Sequence, residues 1–204
     1  MNITRTARMN NQEIRKSLTA SRQALAASTR KQYSDQIRQH FMTWFRQFIQ
    51  THPQPSCRIA GFWPIKEEPD LIPLLTELDQ LGHEISLPCI TALDSSLEFY
   101  RWTATTPLQP GKFNIPEPQL SEKSLPADII LVPTLGFTRD GHRIGYGKGY
   151  YDRTLAKLHE KGHAFIKIGI AWDEGEITVP YLPEPHDIPL DHILTPSGLH
   201  TPTK

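Results

Sequence analysis

The sequence contains only two cysteines, Cys57 and Cys89, too few for a disulfide scaffold. It carries no surplus of charge. The 22 Lys and Arg balance 22 Asp and Glu, which removes any global argument for a nucleic-acid or anionic-membrane partner. No apolar run approaches the ~20 residues of a membrane span, and no apolar signal-peptide core is visible. Repeats, low-complexity tracts and a Gly/Ser linker are also lacking, so nothing in the pattern divides the chain. What is there has 38% hydrophobic and 22% charged residues over 204 positions, the values of a globular protein rather than a disordered or fibrous one. A single domain over 1–204 is expected, monomeric and cytoplasmic, in which residues 1–9 could lack order.

The zero total hides an uneven distribution. Residues 1–31 hold seven basic side chains, among them Arg15, Arg22 and Lys31, and one acid, Glu13, leaving 15 basic and 21 acidic residues in the remainder. An Arg- and Ser-rich, acid-poor start is also how a mitochondrial transit peptide reads. The preferred reading is a basic first helix, over about 10–26, with Met9 as an alternative start. A second helix is predicted over about 29–50, where Tyr33, Ile37, Phe41, Trp44, Phe45, Phe48 and Ile49 recur at helical spacing and form a core face.

Beyond the prolines at 53 and 55 the pattern alternates. Strands are predicted at Arg58–Trp63, Glu84–Ile90, Leu97–Trp102, Asp128–Pro133 and Phe165–Trp172. A helix capped by Asp70 runs to Leu81 with Gly82 as its stop, and another covers Gly149–Lys161. Residues 103–126 read as a long loop. This order predicts an α/β fold of three layers, a largely parallel sheet flanked by helices. In such a sheet Cys57 and Cys89 lie at opposite ends of neighbouring strands, so both read as small buried hydrophobes.

The chemistry concentrates between the Asp128–Pro133 strand and the Gly149–Lys161 helix. Four of the twelve glycines, Gly141, Gly145, Gly147 and Gly149, fall within nine residues there. A glycine loop between strand and helix is a phosphate cradle, because missing β-carbons let backbone N–H groups converge on an anion at a helix N-terminus. Arg143 and Lys148 add two full positive charges. The loop is neither a Walker A motif nor a dinucleotide fingerprint: Gly149 stands where the former needs Ser or Thr, and His142 where it needs Gly.

The run Gly141-His-Arg143-Ile-Gly145-Tyr146-Gly147-Lys148-Gly149-Tyr150-Tyr151-Asp152-Arg153 resembles the signature of the 5-formyltetrahydrofolate cyclo-ligase family. Support comes from Arg15, from Phe62–Asp70, from Asn114–Pro118 and from His186–Asp191, so the resemblance spans nearly the whole chain. It implies a fold similar to the sugar-isomerase and CoA-transferase group, and an ATP- and Mg2+-dependent closure of 5-formyltetrahydrofolate to 5,10-methenyltetrahydrofolate. The substrate would be this small molecule, with or without a polyglutamate tail. Catalysis would fall to Lys148, Arg143 and Glu68. The nucleotide would be held by Arg15, Arg143, Gly145, Tyr146, Gly147, Lys148, Gly149, Tyr150 and Tyr151. The folate would meet Trp63, Glu68, Phe113 and Tyr151, and the metal Asp152 and Asp187.

Bland alternatives stand beside these roles. Asp152 could serve only the dipole of its helix, Asp191 could replace Asp187, and Trp63 and Phe113 could be core residues. Some family members carry Lys where this chain has Asn11, a loss that Arg8 or Lys16 could offset, and some place Gly at the position of Lys148. His159 and His163, four residues apart, read as a surface pair rather than a metal site. The competing functions are a non-catalytic nucleotide- or phosphometabolite-binding regulatory module, and a sugar-phosphate isomerase or acyl-CoA transferase of the same fold.

Overall fold

The structure is a computed structural model that describes residues 9–119, 122–184 and 187–203. Arg8 and His186, named above, lie outside the described residues. Along the chain come α1 (Asn11–Ala24), α2 (Ala27–Thr51), β1 (Arg58–Ala60), α3 (Ile72–Gln80), β2 (Glu84–Cys89) and β3 (Glu98–Arg101). Then follow β4 (Leu108–Pro110), β5 (Pro116–Pro118), β6 (Ile129–Pro133), β7 (Gly136–Phe137), β8 (Arg143–Ile144) and α4 (Tyr150–Glu160). The chain closes with β9 (Ile166–Ile170), β10 (His192–Thr195) and β11 (Gly198–His200).

Seven strands form one sheet in the order β11-β10-β9-β6-β1-β2-β3. The five inner strands run parallel, and β3 and β11 are antiparallel at the two edges. Alternation along β6 shows how the layers arise. Ile129 and Leu131 pack with Ile37, Phe41 and Phe45 of α2 and Leu74 and Leu78 of α3. Ile130 and Val132 pack with Leu155 of α4 on the opposite side. Period-2 strand geometry thus sends successive apolar side chains into two cores, and the α/β/α layering follows. The aromatic stripe of α2 is the largest contributor to the first core, with Ile37, Phe41 and Phe45 fully buried. Among the described residues no helix is long and apolar enough to cross a membrane.

Helix α1 starts where local chemistry dictates. The Asn10 side chain accepts from the backbone N–H of Gln12 and Glu13 at 3.0 and 2.9 Å, while Glu13 reaches back to Asn10 N at 2.8 Å, a complete capping box. Ile14 and Leu18 then dock on Leu135 and Ile144. The basic segment is therefore a built-in helix from Asn11 onward.

The differences from expectation have local causes. Residues 103–126 contain a two-stranded ribbon, β4 with β5, that pairs Pro110 with Pro116; its proline-rich strands carry little strand propensity. The ribbon is held to the sheet by Glu117, whose carboxylate accepts from Ile90 N at 3.0 Å. A small hairpin, β7 with β8, intervenes between β6 and the glycine loop. β1 is shorter than expected and ends at Ala60. Asp70 accepts from Ile72 N at 3.0 Å, but the N-cap position of α3 belongs to Leu71. Cys57 and Cys89 are unpaired and buried, and burial pushes each thiol up to about 12.

Candidate active site

The site forms at the carboxyl ends of β1 and β6, where open α/β sheets bind ligands. After β6 the chain makes the β7–β8 hairpin and enters the loop Gly145–Gly149, which delivers it to α4. Gly147 and Gly149 have φ of +81° and +66°, the left-handed region that an L side chain rarely adopts. A Cβ on Gly149 would also lie 2.7 Å from Arg153 Nη1, an atom of the guanidinium that donates to Lys148 O at 2.7 Å and braces the loop. No side chain caps the start of α4, so its first amides can serve an anion.

Three cations approach this loop differently. Arg15 reaches across from α1 and donates from Nε to Gly145 O at 3.1 Å. Lys148 is exposed, with its ammonium 6.0 Å from the centre of the Phe113 ring. Neither makes an ion pair among the described residues. Arg143, by contrast, is buried and committed: it pairs with Asp152 and donates from Nη1 to Ile188 O at 2.8 Å. Its position ties the loop to α4 and to the segment before β10.

Beside the loop lies Glu68, only 8% exposed. It belongs to the turn after β1, where its carboxylate accepts from Ile65 N at 2.9 Å. Burial raises its carboxyl to about 7, against the opposing pull of that hydrogen bond, of Arg22, of the Tyr146 hydroxyl and of Lys66. Tyr146 is the hinge between the two sub-sites. Its hydroxyl accepts from Arg22 Nη1 at 2.8 Å, and burial first and the charge of Glu68 second suppress its acidity. The Lys66 ammonium sits 4.9 Å from its ring centre, within cation–π range.

The expected apolar walls are placed unequally. Trp63 is half-buried against the core shared by α2 and α3. Phe113 is 58% exposed at the tip between β4 and β5, with its ring 6.4 Å from that of Tyr150. Both Phe113 and Asn114 hold φ of +57°, a strained way to present an aromatic side chain to solvent. Tyr151 packs against the α4-side core, yet its buried hydroxyl has no partner among the described residues. Its acidity is suppressed by burial first and by the charge of Glu68 second.

Asp152 is bound by Arg143, as above. Asp187 accepts from Glu184 N at 2.8 Å and from the Tyr181 hydroxyl at 3.4 Å. Asp191 has another task, accepting from Lys167 N and pairing with its ammonium, both at 2.8 Å. His163 is half-buried and bonds Ala127 O at 3.2 Å, so it is less solvated than a surface pair with His159 implies. Among the described residues no three His, Cys, Asp or Glu cluster as a metal cage.

The 5-formyltetrahydrofolate cyclo-ligase family model matches residues 7–196. The chain belongs to that family. A cyclo-ligase from Haemophilus influenzae is 30% identical over 189 residues, covering 90% of this chain and 96% of its own. One from Mycolicibacterium smegmatis is 33% identical over 146 residues, 68% of this chain and 73% of its own. The solved structure of the Aquifex aeolicus 5,10-methenyltetrahydrofolate synthetase aligns with a TM-score of 0.78 at 30% identity, over 96% of this chain and 94% of that one.

For a cyclo-ligase chain, the structure brings Arg15, Tyr146 and Glu68 together from three distant segments and puts Phe113 and Lys148 at one rim. Sequence reading missed Arg22, which is 4% exposed, and Lys66. Arg22 did carry a signal. It follows Ile14 and Leu18 at four-residue steps, so the helix places a charge on its own buried face, where it needs a partner.

Proposed function

We propose that this cyclo-ligase uses ATP to close 5-formyltetrahydrofolate to 5,10-methenyltetrahydrofolate, with ADP and phosphate as the other products. The observation that supports this most is the junction at Tyr146. It joins an uncapped helix N-terminus with two cations that are unpaired among the described residues, which suits polyphosphate, to a buried carboxyl that titrates near neutrality, which suits a proton acceptor. A binding module would have no use for the second half.

The chemistry sets the division of labour. A formamide oxygen is a very poor leaving group until it is phosphorylated. Arg15, Lys148 and the amides of Gly145 through Tyr151 would bind the nucleotide phosphates and stabilise charge on the phosphoryl group during its transfer to the formyl oxygen. Tyr151, Trp63 and Phe113 would hold the flat folate so that N10 lies near the formyl carbon; both reacting atoms belong to one molecule, so conformer selection does much of the work. N10 then bonds to that carbon, the carbon–oxygen bond breaks with departure of phosphate, and Glu68 takes the N10 proton.

Asp152 and Asp187 would be the carboxylates for a magnesium ion held mostly by phosphate oxygens and water, the usual arrangement for this metal. Bound there, it would neutralise phosphate charge. Arg143 would hold Asp152 in place. Two unreactive buried thiols and the absence of paired cysteines among the described residues support the cytoplasm as its compartment.

Purified protein should develop the methenyl chromophore from 5-formyltetrahydrofolate only with both ATP and a divalent ion. Equal product without ATP would refute the proposal.

A further inference from the structure

Arg22 has no place in the reaction as laid out so far, and its environment is unusual. A fully charged side chain lies 4% exposed on the inner face of α1, in line with Ile14 and Leu18. No carboxylate pairs with it in an ion-pair contact among the described residues. Its Nη2 donates to Thr134 O at 2.7 Å, its Nη1 donates to the Tyr146 hydroxyl at 2.8 Å, and its buried Nε has no acceptor among the described residues. A buried guanidinium with no counter-ion is costly. A group able to supply negative charge is the carboxyl of Glu68, which feels the charge of Arg22.

We propose that Arg22 is a positioning residue for ring closure: through the Tyr146 hydroxyl and through its own charge it keeps the Glu68 carboxyl ionised and aimed to accept a proton. This rests on the reading of Glu68 as the acceptor of the N10 proton.

Arg22 Nη1 donates to Tyr146 Oη, which leaves that hydroxyl's own proton free to turn towards the Glu68 carboxylate, the charge it feels most. That direction is the one that favours the ionised carboxyl, because a donated hydrogen bond and a nearby positive charge both stabilise it. Burial acts the other way. Glu68 therefore sits between a dry environment that would leave it protonated and a cation that would leave it charged, and removal of the cation should tip it towards the protonated form.

Other groups surround Glu68 and set the background. From its own turn come Lys66 and Asp70. Arg30, Lys31, Asp35 and Arg38 of α2 line a cavity of about 260 Å³ that Glu68 also borders. Arg38 in that set is engaged with Glu77 at 2.7 Å. From α4 comes the Tyr151 hydroxyl, which feels Glu68 and, with opposite sign, Arg143. None of these reaches Glu68 through the hydroxyl of Tyr146, the residue that also belongs to the glycine loop. The relay thus makes the proton acceptor sensitive to the loop on which the phosphates would rest.

The test is the pH dependence of kcat/KM for 5-formyltetrahydrofolate at saturating ATP and magnesium, from pH 5.5 to 9, in wild type, Arg22→Gln, Arg22→Lys and Tyr146→Phe. Loss of most turnover in Glu68→Gln establishes the reading on which this rests; near wild-type turnover in that variant would defeat that reading rather than the relay. With the relay, activity rises through an inflection near neutrality in wild type, and Arg22→Gln moves that inflection up by about one pH unit, the shift typical of losing one nearby opposite charge. The deficit of that variant is then about tenfold at pH 6 and shrinks as pH rises. Tyr146→Phe shifts the inflection in the same direction, and Arg22→Lys, which keeps the charge, restores much of it. A role of Arg22 confined to pinning α1 on Thr134 O would lower activity equally at every pH and leave the inflection in place, which overturns the proposal. Should Arg22→Gln fail to fold, Tyr146→Phe decides alone: an unmoved inflection there also overturns it.

Discussion

Replacing Glu68 by Gln removes one titration while keeping the size of the side chain and a carbonyl oxygen able to accept from Ile65 N. In the folded protein burial lifts the carboxyl from its ordinary 4.5 to about 7. Below pH 4.5 the acid is protonated folded and unfolded, and it costs nothing. Between 4.5 and 7 the unfolded chain releases the proton while the folded protein retains it, so wild-type stability falls as pH rises. The slope is about 1.4 kcal/mol per pH unit, and the total over the window is about 3 kcal/mol. Above 7 both states are ionised and the penalty is constant. Gln has no such titration. The stability difference between variant and wild type should therefore move in favour of Gln by about 3 kcal/mol from pH 4.5 to pH 8, or about 6–12 °C in Tm for a domain of this size. Every other titrating group is common to both proteins and cancels, as does any fixed effect of the amide. Thermal unfolding of the pair at half-unit steps from pH 4 to 8.5 reads the difference directly. Turnover should fall by about 10²–10⁴, the usual worth of a general base. A difference in Tm that stays flat across the window would refute the buried-acid reasoning, and with it the case for Glu68 as the proton acceptor.

Three further outcomes are expected. Lys148→Met should slow single-turnover phosphoryl transfer by about 10²–10³ while the ATP dissociation constant changes much less, because the glycine amides still bind the ground state; a wild-type rate at saturating ATP would reduce Lys148 to a binding contact. Tyr151→Phe removes a buried hydroxyl that has no partner among the described residues, so the variant should be no less stable than wild type, and up to about 1 kcal/mol more stable, while its KM for the folate rises. A lower Tm with unchanged KM would show instead that the hydroxyl serves the fold. Cys57 and Cys89, with thiols at about 12, should resist a thiol reagent in native buffer and react only at the rate of unfolding; rapid native labelling at pH 8 would contradict their burial.

Legibility of this structure in its sequence varied with the source of the signal. The stripe from Ile37 to Phe45 carries its helical period locally, Ile129–Pro133 is a continuous apolar run of strand length, and both elements formed as read. Strands β10 and β11 carry almost none: Ile193 and Leu194 are the only buried apolar residues of β10, and pairing with β9 makes the strand. Likewise the Pro110–Pro116 pair is a ribbon because Glu117 and the end of β2 anchor it, against local propensity. At the site, the glycines announced a phosphate loop through their spacing. The partnership of Glu68 with Tyr146 and Arg22 was invisible, because it joins residues 46 to 124 positions apart that meet only once the sheet has set the ends of β1 and β6 side by side.

The docking of α1 has a consequence in time. Its partners include Gly145, Tyr146 and Thr134, so during synthesis this helix has none of them until more than a hundred further residues have emerged. Loop-closure entropy must be met before those contacts reward it. Its apolar hold is also small, Ile14 and Leu18 on Leu135 and Ile144, beside the large aromatic face that anchors α2. The helix should therefore be the last element to seat during refolding and the first to lift away in the native ensemble, with its amide hydrogens exchanging by a local opening well before those of α2. Each such opening would carry off Arg15 and Arg22 together. The phosphate side and the proton side of the site would then be lost in a single event and regained in one.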